Sequence, residues 1–403
     1  MLNKDKLYSL SIFKTYRFLI MLTIIGFLIN IVSVYTNTKD LYGSGMVLKE
    51  VIFVIITICI SFIYMYYFMY TYNNKNVNDT FERIVMINLI IFLIGISLSI
   101  IMVFLPNTIV PYINGAKRWI ITPFFSISPI EMIKYGFLFL IAFLFSTNKF
   151  IFHLDKKHSF ELYTPFYVFF LFLTIFVVFF QKDFGNFVLL STIFIFVVFI
   201  YFKKNTSLYF FSIVILLLFV LFIISEEHRV SRFLSWFYSI YSVEEGVNFN
   251  NYQILQGLYT INEGLLTNII FGCGLFESVL KVKVPELYTD MVFVTVISET
   301  GLFGLLMYFS FMMLLTYQIY IKTKNTTSFY IYVYSFVIIS YFWITIFINL
   351  LGVLGIIPFK GISVPFLSYG GSNLLFNILI LVNFIIMNFL ISVKETRNKI
   401  VFK

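Results

Sequence analysis

The chain has 403 residues, of which 60% are hydrophobic and 12% charged, and its formal net charge is +9. An ordinary soluble domain is about 45–50% apolar and about 25% charged, so the composition excludes a soluble globular protein and points to a polytopic membrane protein. The positive excess is then a matter of topology, not a footprint for nucleic acid. Cys59 and Cys273 stand alone and His153, His158 and His228 are scattered, which offers neither a disulfide framework nor a metal-ligand spacing.

A membrane-crossing helix needs about 20 apolar residues. Ten stretches qualify, at roughly 18–36, 47–70, 84–105, 131–147, 162–180, 187–202, 207–224, 291–320, 329–348 and 373–392. The first follows a basic tail and is long enough to span, so it reads as a retained helix rather than a cleaved signal. Lys4, Lys6, Lys14 and Arg17 precede it. Lys75 and Arg83, Lys156 and Lys157, Lys203 and Lys204, and Lys322 and Lys324 occupy every second loop, and Lys394, Arg397, Lys399 and Lys403 end the chain. With ten spans these residues share one face, which is cytoplasmic by the excess of Lys and Arg in inner loops. The expected fold is therefore an all-α polytopic bundle of about ten transmembrane helices, a single membrane domain over residues 1–403. Both termini are inside, and a large extracytoplasmic loop at about 225–290 joins helices 7 and 8. No internal repeat is evident.

The outer loops carry the residues suited to chemistry. Asp290 ends "PELYTD" at the mouth of the eighth span, where acids are costly. It reads either as a helix cap, a role open to Thr289 or Asp290, or as a functional carboxylate. Glu299 lies about 13 Å deeper by helical rise and calls for a cationic partner. In "GAKRWI", Lys117, Arg118 and Trp119 form either an interfacial anchor or a site for an anionic or sugar-bearing lipid. Arg229, Arg232, Lys281, Lys283 and Lys360 are outward cations suited to phosphate or pyrophosphate, and a short outer loop disfavours a Lys such as Lys360. Glu131 and Lys134 are spaced to pair on one helix face. Asp183, beside Gly185 in "QKDFGN", sits at an outward break between spans, positioned to bond the free backbone there. Gly370 and Gly371 in "PFLSYGGSN" allow a tight turn with positive φ.

These segments, taken in order, resemble a known family. "GAKRWI", "SPIEMIK", "QKDFGN", "NYQ", "FGCGLFESVLK", "PELYTDMVFVTVISETG" and "GIIPFKGISVPFLSYGGSN" follow the motif series of the SEDS proteins (FtsW, RodA and SpoVE) over nearly the whole chain. The "NYQ" and "GCGLFESVLK" segments look more like the FtsW branch than the RodA branch. Lys182, Asn186, Met291, Ser298, Ser128 and Ile130 depart from the family pattern, while its Trp–Asp pair stands at Trp119 and Asp290.

The resemblance implies an inverting peptidoglycan glycosyltransferase of the bacterial cytoplasmic membrane, acting at its outer face for division or cell shape. It would polymerise lipid II onto a glycan linked to undecaprenyl pyrophosphate, working with a class B penicillin-binding transpeptidase. Asp290 would be the catalytic base. Trp119, Lys117, Arg118, Arg229, Arg232, Lys360 and Glu286 would bind substrate. Glu299, Asp183, Glu131, Lys134, Gly370 and Gly371 would support the site. No cofactor is implied with certainty, and Mg²⁺ or Mn²⁺ could assist charge neutralisation. The alternatives are a flippase for lipid-linked precursors, with no bond-making step, and a polymerase of another polyprenyl-linked glycan.

Overall fold

The computed structural model describes residues 2–42, 45–74, 77–112, 117–122, 126–150, 181, 183–201, 230, 234, 236, 252–278, 281, 284–324, 326, 328–359 and 361–401. The helices are α1 (Leu2–Tyr42), α2 (Gly45–Asn74), α3 (Val77–Phe104), α4 (Pro129–Phe150), α5 (Phe184–Tyr201), α6 (Tyr252–Thr267), α7 (Val292–Thr323), α8 (Phe329–Val353) and α9 (Gly371–Val401). Among the described residues the only strands are β1 (Ile120–Ile121) and β2 (Ser126–Ile127), an antiparallel pair pairing Ile120 with Ile127.

Six helices are long and apolar enough to cross a membrane among the described residues: Lys14–Lys39, Gly45–Tyr72, Asp79–Phe104, Val292–Thr323, Phe329–Val353 and Gly371–Val393. They coincide with the first three and last three expected spans. The expected spans at 131–147 and 187–202 fall on α4 and α5. Those at 162–180 and 207–224 lie outside the described residues, so the fold is a multi-pass α-helical membrane protein with six such helices described rather than ten.

The bundle is built around α9. Its most apolar stretch is 83% buried, against 22% for α2, whose flank is exposed. The central helix carries buried Asn373, Asn377, Asn383 and Asn388, and each is hydrogen-bonded. Asn383 accepts from Tyr64 of α2 and Asn88 of α3 and donates to Tyr334 of α8. Without water, a polar side chain inside a bundle must find such partners, which then tie helices together.

Part of the expected outer loop is packed into the bundle. Helix α6 lies along the first half of α7, with Gly257 against Met291 and Val294 and Gly264 against the Ser298 backbone. A side chain at 264 would overlap that backbone. The break in α7 explains the path of the chain after α6. Gly301 has φ 62° and ψ −154°, so the helix loses its own hydrogen bonds there. Residues 269–274 replace them: Leu302 and Phe303 donate to the carbonyls of Ile269 and Ile270, while Cys273 and Gly274 donate to those of Ser298 and Glu299. Irregular backbone at membrane depth requires such internal satisfaction. Gly301 lies about 15 Å along α7 from its N-terminus by helical rise, so residues 252–278 reach that far along the helix.

Candidate active site

One end of the bundle is assembled from four chain segments around Asp290. The first is "PELYTD". Glu286 takes φ 53°, and its carbonyl accepts from the backbone N–H of Thr289, Asp290 and Met291. The resulting turn delivers Asp290 to the start of α7. Thr289 Oγ1 donates to the Glu286 carboxylate at 3.0 Å, which gives Glu286 a part in shaping the loop. The N-cap of α7 is Met291, with no side-chain cap bond, so the capping reading of Thr289 and Asp290 does not hold.

The second segment is the turn before α9. Tyr369 N–H donates to the Tyr288 carbonyl at 2.7 Å, and Ser368 Oγ donates to the Thr289 carbonyl. Gly370 has φ 154°, and Gly371 lies directly against the Phe53 ring, where a Cβ has no room. Both glycines are therefore required, for conformation and for close approach respectively.

The third segment is "GIS", residues 361–363. A Cβ on Gly361 would overlap the Asp290 carboxylate, so the carboxyl occupies the space a side chain would take. Asn349 of α8, fully buried, donates to the Asp290 carbonyl at 2.7 Å and to the Ile362 carbonyl at 2.6 Å. One amide thus fastens the loop of the acid to the loop that makes room for it. The fourth segment is the start of α5. Asp183 accepts from Asn186 N–H at 3.2 Å and from Asn186 Nδ2 at 2.8 Å, an N-cap arrangement. Gly185, which by sequence suits a turn at this break, does not make one. It lies inside α5 and packs against Ile362 and the Gly361 carbonyl.

Lys134 and Glu131, both buried, pair at 2.7 Å beneath this rim. Asp290, Asp183, Glu286, Arg118 and Lys134 therefore converge electrostatically. Asp290 is half-buried, and its carboxyl is pushed up from 3.8 to about 7. Burial does most of this. The Glu286 and Asp183 carboxylates add to it, and Arg118 and Lys134 oppose it. Among the described residues Asp290 forms no ion pair.

Other expected site residues lie elsewhere. Lys117 turns away and donates to the Leu105 carbonyl at 2.5 Å and the Val103 carbonyl at 3.4 Å, closing the C-terminus of α3. Trp119 is half-buried just before β1. Glu299 is deep in the bundle and pairs with Lys281 at 2.7 Å. Lys281, expected as an outward cation, is buried and also reaches the Thr36 carbonyl at 3.4 Å. Arg229, Arg232, Lys283 and Lys360 lie outside the described residues. No three His, Cys, Asp or Glu side chains come together as metal ligands among the described residues.

The sequence does not single out Asn349, Ser368 and Gly361 as site residues. A lone Asn in an apolar span is the available signal for the first, because such a group demands partners. Nothing in the sequence marks which glycine of the loop faces a carboxylate.

Fold and site together define a multi-pass α-helical membrane protein with a cluster of acids and cations at one rim of its bundle. A family model described as "Cell cycle protein", covering FtsW, RodA and SpoVE, matches residues 13–395. The chain is 31% identical over 296 residues to a probable peptidoglycan glycosyltransferase FtsW of Helicobacter pylori, covering 68% of this chain and 74% of that one. It is 30% identical over 266 residues to stage V sporulation protein E of Bacillus subtilis, covering 65% and 68%. Among solved structures it is similar to a chain of a peptidoglycan synthase complex (TM-score 0.66, 16% identity, covering 92% of this chain and 96% of that one). It is also similar to the rod shape determining protein RodA of Thermus thermophilus (TM-score 0.59, 15% identity, covering 92% and 95%). The chain belongs to the FtsW/RodA/SpoVE family, the SEDS proteins.

Proposed function

We propose that the protein is an inverting peptidoglycan glycosyltransferase that polymerises lipid II at the outer face of the bacterial cytoplasmic membrane. The observation that carries this reading is Asp290: a carboxyl at the rim, unpaired among the described residues and lifted to about 7 by burial and neighbouring acids. A general base works best when its pKa lies near the operating pH. The relative named as a probable peptidoglycan glycosyltransferase supports the substrate class. The relatives named FtsW support a place in the FtsW branch, for wall synthesis in division or cell shape.

The chemistry is one displacement. Asp290 takes the proton from the acceptor 4-hydroxyl as that oxygen attacks the anomeric carbon of the donor glycan. The bond from that carbon to the pyrophosphate oxygen breaks, and undecaprenyl pyrophosphate leaves with the electron pair. The anomeric centre inverts, giving a β-1,4 linkage. Arg118 faces the growing charge from the rim, and Lys360, Arg229 and Arg232 are assigned to the pyrophosphate from the sequence. Fixed cations accelerate the reaction only so far as they bind the transition state more tightly than the ground state. Trp119 is assigned to a sugar face. A class B penicillin-binding transpeptidase is the proposed partner, in keeping with the synthase complex that couples polymerization and crosslinking.

The test is polymerisation of lipid II by the purified protein, alone and with a class B transpeptidase. Glycan strands from the wild type and none from Asp290→Asn are expected. Transport of lipid II across vesicles without any polymer, by both proteins equally, would favour the flippase instead.

A further inference from the structure

Two aromatic rings beside Asp290 have no part yet in that chemistry. Tyr288 lies two residues before the acid, and Tyr369 lies in the turn before α9. Both are half-buried, so neither is closed off in the core. Their ring centroids are 5.8 Å apart at an interplanar angle of 75°, an edge-to-face pair. The same two residues are joined through the backbone, where Tyr369 N–H donates to the Tyr288 carbonyl at 2.7 Å.

The backbone under the pair is held more firmly than a surface turn requires. Ser368 Oγ accepts from Val364 N–H at 2.7 Å and donates to the Thr289 carbonyl, and the Ser368 carbonyl accepts from Asn30 Nδ2 at 3.1 Å. Three non-glycine residues have a positive φ among the described residues, and two of them lie here. Glu286, at 53°, stands two residues before Tyr288, and Phe366, at 60°, three before Tyr369. Strained backbone of this kind survives only where its surroundings over-determine it, and it gathers at binding and catalytic sites. A tyrosine that serves only as an anchor at headgroup level needs neither the strain nor the clamp.

A pyranose ring with equatorial hydroxyls carries C–H groups on its two faces and hydroxyls around its edge. The faces are apolar and suit the electron-rich face of an aromatic ring, and the edge stays free for polar partners. A sugar laid on a tyrosine beside Asp290 therefore turns an edge hydroxyl toward the carboxyl. On the opposite loop Gly361 is exposed and adds no side chain over that carboxyl. We propose that Tyr288 and Tyr369 form an aromatic subsite that holds the acceptor sugar of lipid II by its face, with the 4-hydroxyl directed at Asp290. An edge-to-face pair cannot offer two parallel faces, so one ring stacks on the sugar and the other walls the subsite. The identity of the sugar rests on the proposed reaction, whereas contact between a sugar and the two rings does not require that polymer forms.

The first measurement leaves both tyrosines in place. Full-length Asp290→Asn in lipid nanodiscs is nitrated at tyrosine with tetranitromethane, alone, with lipid II and with undecaprenyl pyrophosphate, and the modified residues are read by mass spectrometry. Lipid II should slow modification of Tyr288 and Tyr369, whereas undecaprenyl pyrophosphate, which has the lipid and no sugar, should not. Tyr259 of α6, 58% exposed, should react equally in all three. The second measurement is kinetic, on Tyr→Phe and Tyr→Leu at each position. The Phe variants keep the ring and should keep KM for lipid II within about twofold, while the Leu variants should raise it about threefold to tenfold, the size of one aromatic contact. A raised KM at unchanged kcat and unchanged melting temperature marks lost substrate binding rather than a loosened turn. Equal protection by lipid II and undecaprenyl pyrophosphate, or none by lipid II, overturns the proposal. Leu variants that lose stability and keep the wild-type KM also overturn it, and leave the pair as a clamp on the turn. If the Leu variants do not fold, the nitration pattern decides alone. If the wild type makes no polymer, the proposed reaction fails, and protection by lipid II still decides the subsite.

Discussion

Asp290 and Glu299 stand nine residues apart, the first in the turn before α7 and the second within it, and the protein treats them in opposite ways. Glu299 is 2% exposed and paired with Lys281 at 2.7 Å. Asp290 is half-buried, and its nearest charged neighbours include two more acids. A buried acid with a close cation is held ionised and is worth keeping only for what it fastens. An acid crowded by its own sign, only half-buried, gives up and regains a proton near neutral pH. The contrast separates a residue that fastens the bundle from the one proposed here as the base, although either is equally odd in a membrane sequence.

The largest effect should come from removing the proposed base. Asp290→Asn keeps the shape of the side chain, and turnover of lipid II should fall by about 10²–10⁴. Stability should move the other way. The folded protein holds a proton on Asp290 up to about 7, whereas the unfolded chain releases it above 3.8. The folded state therefore binds more protons between those values, and stability falls as pH rises through that window. Removing the carboxyl should raise the melting temperature measured at pH 8. A lower one would mean that Asp290 is a structural residue like Glu299.

Glu299→Gln should do the converse. It leaves Lys281 as an unpaired buried cation, and loss of one partner of a buried pair costs about 3–5 kcal/mol. Yield and melting temperature should drop while the remaining folded protein keeps a turnover near wild type. The double change Glu299→Leu with Lys281→Met should recover most of the stability. If Glu299→Gln abolishes turnover in a protein of normal stability, the division between the two acids fails.

This comparison is half legible in the sequence. Glu299 announces a need for a cation, since an acid at span depth is costly whatever the fold. Its partner does not show itself, because Lys281 is 18 residues away and reaches Glu299 only through the packed return after α6. That return is hidden for a related reason. Residues 252–281 carry the polarity and glycines of a loop, and only the break at Gly301 gives their backbone groups partners deep in the bundle. The long apolar helices are legible because hydropathy over 20 residues is a bulk property, insensitive to neighbours. Asp290 is found through its motif and its place. What makes its carboxyl room, Gly361, depends on the approach of two loops more than 60 residues apart in sequence, and no local pattern encodes that.

Gly361→Ala sharpens the contrast at intermediate cost. The added methyl must displace the Asp290 carboxyl, and overpacking of this kind costs about 1–3 kcal/mol. Turnover should fall about tenfold or more with the pH dependence shifted, because burial sets most of the elevation of Asp290. In the wild type the rate should rise with pH up to about 7 and then level as the base is fully ionised. A Gly361→Ala enzyme with wild-type rate and an unchanged profile would place the carboxyl elsewhere during the reaction.

The smallest effect concerns Lys117, which the sequence groups with Arg118 and Trp119 as a substrate contact. Its ammonium donates instead to the last carbonyls of α3, where a cation meets both unpaired acceptors and the negative end of the helix dipole. That is worth about 0.3–1 kcal/mol near a surface. Arg118, one residue on, does act on Asp290, pulling its carboxyl down against the surrounding acids. The two neighbours should therefore part under mutation. Lys117→Met should lower the melting temperature slightly and leave both turnover and the KM for lipid II within about twofold, since it removes a cap and no contact to substrate. Arg118→Met should shift the pH dependence upward, because the acid loses one of the two cations that oppose its elevation. A Lys117→Met protein with a KM raised tenfold and normal stability would move Lys117 off the helix end during turnover and return it to the substrate.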